Sequence, residues 1–324
     1  MELFLTLFAF LMFLIAIILI INEKLVKIPP EIALLAGSFV VGVICTIVLN
    51  AGVNLPDGGA ISNLSHLKVD EILLDGILCF MLFSGASDLK FKSLKKNFRP
   101  ITLLALLTTV VTAVIYGSIY YLLLSALKLN PAYINCLLLG AVVSPTDPIA
   151  ATGILNKLGL PEEIVSIMEG ESLFNDGTGV ALFVFLKGLL THSNDAGFFA
   201  IMAKEIIGAI VLAAVVSFVC LKLIKLTESD ITHIIISLLA VSACYSLSER
   251  IGCSGVIASV ICGITFATTM EKYRDQGIIR QDGYYNEFWS TVDKLLNYVL
   301  YVFIGLSFIF IVKIDLLIFA ILSA

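Results

Sequence analysis

Ten long apolar runs follow one another along the chain, at 3–21, 32–49, 70–86, 101–124, 133–155, 162–190, 199–226, 230–248, 253–269 and 289–311. A helix of about 20 apolar residues crosses the hydrocarbon core of a bilayer. Backbone amides and carbonyls there must find partners within the segment, which a helix provides. The pattern predicts an all-α polytopic membrane protein, multi-pass in a cell membrane, with 1–311 forming one transmembrane domain. Composition agrees: 59% of residues are hydrophobic and 14% charged, against about 25% charged in soluble domains. An eleventh run begins near Asp315 and stops at Ala324. Residues 312–324 therefore read as the start of an incomplete eleventh span, and the second half of the fold as C-terminally incomplete.

The first run has acidic Glu2, no basic segment before it and no evident small-residue cleavage site, so it reads as a retained span rather than a signal peptide. The net charge of −5 comes with no basic cluster of the kind that binds nucleic acid. Seven cysteines stand singly in apolar runs without metal-ligand spacing, and read as small hydrophobes.

Lysine and arginine set the orientation, because cytoplasmic loops carry them in excess. Lys24 and Lys27 follow span one, and Lys90, Lys92, Lys95, Lys96 and Arg99 follow span three. Lys157 follows span five, Lys222 and Lys225 close span seven, and Lys272, Arg274 and Arg280 follow span nine. Odd-numbered spans are expected to end in the cytoplasm, with the amino terminus outside. The 90–99 run is read as a topology signal before a lipid contact. The longest loops are expected at 50–69 and 270–288. A short echo, Phe83-x-Gly85-x-Ser87 against Phe303-x-Gly305-x-Ser307, lies seven spans apart, the odd offset of an inverted repeat.

Two polar interruptions stand out. In span five, Ser144-Pro145-Thr146-Asp147-Pro148 places a carboxylate between two prolines near mid-membrane. Each proline lacks an N–H and clashes with the preceding turn, so the helix is expected to open there. Opened backbone at that depth is tolerated where protein or water satisfies it, as at transporter ion sites. The bland alternative is a proline kink with Asp147 as a local cap.

In span six, Gly170-Glu171-Ser172-Leu173-Phe174-Asn175-Asp176-Gly177 buries more polarity. With the helix starting near Glu162, Asp176 lies roughly 21 Å along it, inside a core about 30 Å thick. A charge there costs roughly 2.5–3.5 kcal/mol on insertion scales, so an intramembrane acid is a functional hypothesis by default. Ser172 and Asp176 are spaced i,i+4, as are Glu171 and Asn175. The first pair offers hard oxygen ligands for a small cation; the second presents a carboxylate needing a basic partner or a proton. A carboxyl group withdrawn from water holds its proton more tightly than in solution, so Asp176 can carry a proton or a cation in turn. The alternative is a buried acid satisfied by hydrogen bonds alone. Spans five and six, residues 133–190, are thus the candidate ion-binding core. Glu169 reads as a solvated mouth residue before a funnel for cations, and His66, His192 and His233 as interfacial residues before pH sensors.

At these motifs the sequence resembles the sodium/proton exchanger family of monovalent cation:proton antiporters. Glu169 to Gly177, Ser144 to Pro148, Ser248 to Ala258 and Phe288 to Gly305 carry the resemblance, which covers about residues 1 to 311. It implies a sodium/proton antiporter-type inverted-repeat fold of thirteen helices with a broken fifth helix, and an ion-translocation core moving against a dimerisation domain. It further implies that Asp176 binds the ion and the proton, with Ser172 and Thr146 as oxygen ligands of Na+. Asn175 would support the site and mark an electroneutral branch, Asp147 would cap the helix break, and Glu171 would pair with an arginine of the eleventh span. Two departures accompany it. Where relatives often carry a carboxylate in span three this chain has Ser84, and the eleventh run reaches Ala324 before any arginine appears in it.

The expected activity is exchange of a monovalent cation, sodium first and potassium or lithium next, for a proton. No cofactor is expected beyond the transported ions. The bilayer and, for a complete fold, a second copy in a homodimer are the expected partners. Two other classes compete with this reading: an intramembrane aspartyl protease, whose Gly-x-Gly-Asp signature is missing, and a truncated, non-transporting membrane protein.

Overall fold

The computed structural model describes residues 2–50, 76–88, 96–146, 159, 161–191, 198–279 and 284–306. Ten α-helices, and no strand, occur among the described residues. They are α1 (Glu2–Ile21), α2 (Pro30–Asn50), α3 (Leu78–Asp88), α4 (Phe98–Ala126), α5 (Tyr133–Val143), α6 (Glu162–Thr191), α7 (Phe198–Ile224), α8 (Asp230–Ile251), α9 (Gly255–Asp275) and α10 (Tyr284–Leu306). Each apolar run of the sequence has its helix. Six of them, α1, α4, α6, α7, α8 and α9, are long and apolar enough to cross a membrane; α2, α3 and α5 are shorter apolar helices.

The chain divides into two compact units, one from Met1–Ile77 and Thr291–Ala324, the other Leu78–Ser290. In the first, Leu11, Leu14, Ile15 and Ile18 of α1 pack with Ala33 and Leu34 of α2 and with Val299 and Val302 of α10. Asn22 closes the α1–α2 connection: its Nδ2 donates to Ile28 O at 2.8 Å, and the Ile28 amide donates back to Asn22 Oδ1 at 3.1 Å.

The second unit holds the candidate core, and its helices are built inside out relative to those of a soluble protein. On α4 the buried residues are Ile101, Ala105, Thr109, Ala113 and Gly117, one every fourth position. Leu103, Leu106, Leu107, Val110, Val114 and Ile119 point outward. Lipid is as apolar as leucine, so membrane helices associate through small residues that let backbones approach. A Cβ on Gly140 of α5 would collide with the Ala113 carbonyl oxygen of α4, and one on Gly117 would lie 2.9 Å from the Cys136 carbonyl oxygen.

Phe83 of α3 packs between Phe266 of α9 and Trp289 of α10, with ring centroids 5.4 and 4.6 Å away. Trp289 Nε1 donates to Ser237 Oγ of α8 at 3.0 Å. The Ser248 to Ala258 segment forms the corner between α8 and α9. Gly252 takes φ 75°, the left-handed conformation glycine adopts freely, and the Cys253 amide reaches back to Ser248 O at 2.8 Å. Glu249 Oε1 accepts from the Gly255 amide at 2.8 Å, placing a carboxylate on an unpaired donor at the start of α9.

Some expected boundaries change. The loop expected over 270–288 shrinks, because α9 runs to Asp275 and α10 starts at Tyr284. Lys272 and Arg274 occupy the last turn of α9, where the helix dipole favours cations, so their charge does not end the helix. His233 lies in the first turn of α8 and is 1% exposed, with Nε2 2.9 Å from Thr227 O. His66, His192, the 50–69 loop, Ser307 and Lys90, Lys92 and Lys95 lie outside the described residues.

Candidate cation site

Helix α5 stops at Val143, two residues before Pro145. Proline cannot donate the amide bond that would reach Ala141 O, and the hydroxyl of Ser144 takes that place, donating to Ala141 O at 3.1 Å. Pro145 and Thr146 follow in non-helical backbone. The proline ring lies against α6 at Gly179, where an added Cβ would collide with Pro145 Cγ.

Helix α6 meets this opened segment with two polar side chains. Ser172 Oγ donates to Thr146 O at 2.8 Å. Asn175 Nδ2 lies 3.0 Å from Thr146 Oγ1, 3.4 Å from Thr146 O and 3.3 Å from Glu171 Oε1. Glu171 when ionised is acceptor-only and Thr146 O is a carbonyl, so the amide must turn its NH2 toward them. That leaves Asn175 Oδ1 buried and without a hydrogen-bond partner among the described residues, on a residue 1% exposed. A buried acceptor in that state costs about 1–3 kcal/mol unless something electropositive approaches it.

The next residue along α6 is Asp176, half-buried, and Glu171 is half-buried as well. Glu171 Oε1 also accepts from Thr108 Oγ1 of α4 at 3.0 Å. Thr146 is exposed and Ser172 buried, so the cluster is open on the side of the helix break. Its described members are a carbonyl, hydroxyls, an amide and carboxylates: oxygen donors suited to a hard cation.

The structure therefore brings Thr146, Ser172, Asn175 and Glu171 together, with Pro145 behind them and Asp176 adjoining. Asp147 and Pro148 lie outside the described residues, as does the eleventh span in which a partner for Glu171 was expected. Ser84 is committed elsewhere: fully buried on α3, it donates to Trp289 O at 2.8 Å. Glu169 is exposed. Two contributors were not singled out from the sequence, Ser144 and Thr108. The sequence carries no distinctive signal for Thr108, since Thr102, Thr109, Thr112 and Ser118 interrupt the same run of α4.

Comparison with known proteins follows the same lines. Residues 8–324 match the family model for the sodium/hydrogen exchanger, transmembrane. The chain is similar to the Na(+)/H(+) antiporter NhaP of Pseudomonas aeruginosa, 28% identical over 290 residues, 89% of this chain and 68% of that protein. It is similar also to the Na(+)/H(+) antiporter ApNhaP of Aphanothece halophytica, 29% identical over 242 residues, 72% of this chain and 44% of that protein. The chain thus spans less than half the length of the second relative. Among solved structures, the sodium proton antiporter MjNhaP1 from Methanocaldococcus jannaschii superposes with a TM-score of 0.68 at 19% identity, covering 94% of this chain and 71% of that one. That likeness carries the fold.

Proposed function

This chain belongs to the sodium/hydrogen exchanger family of transmembrane proteins, and from that premise we propose that it exchanges a monovalent cation, sodium first, for a proton across the cell membrane at Asp176. The family is one of transporters, so no covalent chemistry is required of the site. The observation that carries the proposal is the docking of Ser172 and Asn175 onto Thr146 at the end of the broken α5, beside an acid deep in an apolar helix.

The physics is competition. A proton on the Asp176 carboxyl removes the charge a cation needs, and a bound cation removes the site a proton needs. Thr146, through its carbonyl and hydroxyl, and Ser172, through its free lone pairs, supply further ligands for sodium. Asn175 Oδ1, a buried acceptor with no donor, is turned to the same purpose. Asp147 is assigned to the helix break, Pro145 and Pro148 to holding the backbone open. One proton for one cation makes the cycle electroneutral. The amino terminus lies outside, and the working unit is a homodimer; both go with the family reading and the lysine distribution.

The test is sodium-driven dissipation of an imposed pH gradient in everted vesicles from an antiporter-deficient host. Asp176→Asn is expected to abolish dissipation while the protein stays in the membrane. In the wild type, the sodium concentration for half-maximal exchange is expected to rise as pH falls. Dissipation by the Asp176→Asn protein at the wild-type rate refutes the mechanism. Potassium and lithium added in place of sodium rank the cations.

A further inference from the structure

We propose that Thr108 of α4 is a positioning residue for this exchange: its hydroxyl holds the Glu171 carboxylate, which in turn fixes the Asn175 amide against Thr146. The inference rests on the exchange reading above and extends it to a helix that contributes no ligand.

Four hydrogen-bonding groups form a line across three elements. Thr108 Oγ1 lies 3.0 Å from Glu171 Oε1, and that same oxygen lies 3.3 Å from Asn175 Nδ2, which reaches Thr146 Oγ1 at 3.0 Å. The bland account is that Thr108 only bonds back to its own helix, since its hydroxyl is 2.7 Å from Leu104 O. Thr109 does this at 2.6 Å to Ala105 O, on the buried stripe of α4.

Thr108 differs in its surroundings. It lies on the outward side of α4, where Leu103, Leu104, Leu106, Leu107, Val110 and Val111 are all exposed large hydrophobics. Packing and lipid contact ask for valine or leucine at that place, not a hydroxyl. Among the described residues, the acceptor this hydroxyl reaches beyond its own helix is Glu171 Oε1.

The hydroxyl has one proton and two acceptors within reach. A charged acceptor makes the stronger bond, so the proton favours the Glu171 carboxylate over Leu104 O. With the donor in place, the lone pairs of Oε1 are shared between Thr108 and Asn175. Without it, Asn175 alone among the described residues holds the Glu171 carboxylate, and one of the three acceptors around the Asn175 amide is less firmly placed. The expected consequence falls on cation affinity, because Asn175 governs how Thr146 and the orphan Oδ1 face the site, and not on the conformational step.

The experiment compares Thr108→Val, which keeps the shape and removes the donor, with Thr108→Ser, which keeps the donor, in the everted-vesicle assay. Thr108→Val is expected to raise the sodium concentration for half-maximal exchange about three- to tenfold, the size of one lost hydrogen bond, with the maximal rate within about twofold. Thr108→Ser is expected to match the wild type. Sodium-induced thermal stabilisation of the purified protein gives a second readout without turnover, reduced by Thr108→Val and kept by Thr108→Ser; Thr108→Ala replaces the valine variant if the latter misfolds. Wild-type sodium dependence in Thr108→Val, or equal impairment of the serine and valine variants, overturns the inference and leaves the exchange reading intact. Absence of sodium-driven exchange in the wild type overturns the exchange reading, and this inference with it.

Discussion

At Pro145 the helix loses an amide donor, and the hydroxyl of the residue before it supplies one to Ala141 O. Thr146 O, beyond the end of the helix, accepts from Ser172 and Asn175 of the neighbouring helix. Each bond is worth about 0.5–1.5 kcal/mol, and a buried carbonyl left bare costs more. Ser144→Ala is therefore expected to lower stability by about 1 kcal/mol, seen as a lower melting temperature in detergent with sodium affinity largely retained. Asn175→Asp replaces a donor by a second acid facing Glu171. We expect roughly 1–3 kcal/mol of destabilisation, from the donor lost and the like charge added, and loss of sodium-driven exchange, read by the same melting and vesicle assays. Spacing along α6 paired Ser172 with Asp176 and Glu171 with Asn175. The second pair is in contact, at 3.3 Å. What spacing left out is that Ser172 and Asn175, three residues apart, meet on one carbonyl of another element. Helical periodicity says which side chains share a face, but not what faces them.

The helices themselves were legible because bilayer thickness sets their length and lipid sets their outer surface. The buried stripe of α4, from Ile101 to Gly117, is less visible from hydropathy, since alanine and glycine sit inside while leucine and valine sit outside. Contact with α6 at Ile101 and with α5 at Ala113 and Gly117 is what selects that stripe. Gly140→Ala is expected to push α4 and α5 apart, because the new methyl meets backbone and not a movable side chain. Overpacking of this kind costs about 1–3 kcal/mol; Leu103→Ala on the outward face should leave the melting temperature nearly unchanged. Helix ends were least legible. The charges of Lys272, Arg274 and Glu287 suggested a loop, whereas α9 and α10 keep them at their termini. In a membrane helix, polar termini extend past the apolar run by a length that hydropathy does not give.

Across the whole molecule, a chain of odd-numbered spans ending on lysine and arginine predicts one orientation, and it can be read directly. Cysteine placed at Lys272 or Lys225 should react with an impermeant maleimide added to everted vesicles, and cysteine at Lys128 should react only in right-side-out vesicles; the reverse pattern refutes it. Six of the seven native cysteines are buried and Cys45 is half-buried, so their background is low. The sequence by itself determined that this is a helical membrane protein with an acid inside a long apolar run and prolines that interrupt the helix before it, and its motifs carry the family resemblance. The helices and the interruption follow from local chemistry: hydrophobic length and the missing proline amide. Only the tertiary structure decided that Ser144 and α6 satisfy the opened backbone, that Thr108 reaches Glu171 from α4, and that Ser84 donates to Trp289. Those choices depend on which helix lies against which, and that is settled by the fit of small residues between backbones, a quantity no single run of sequence contains.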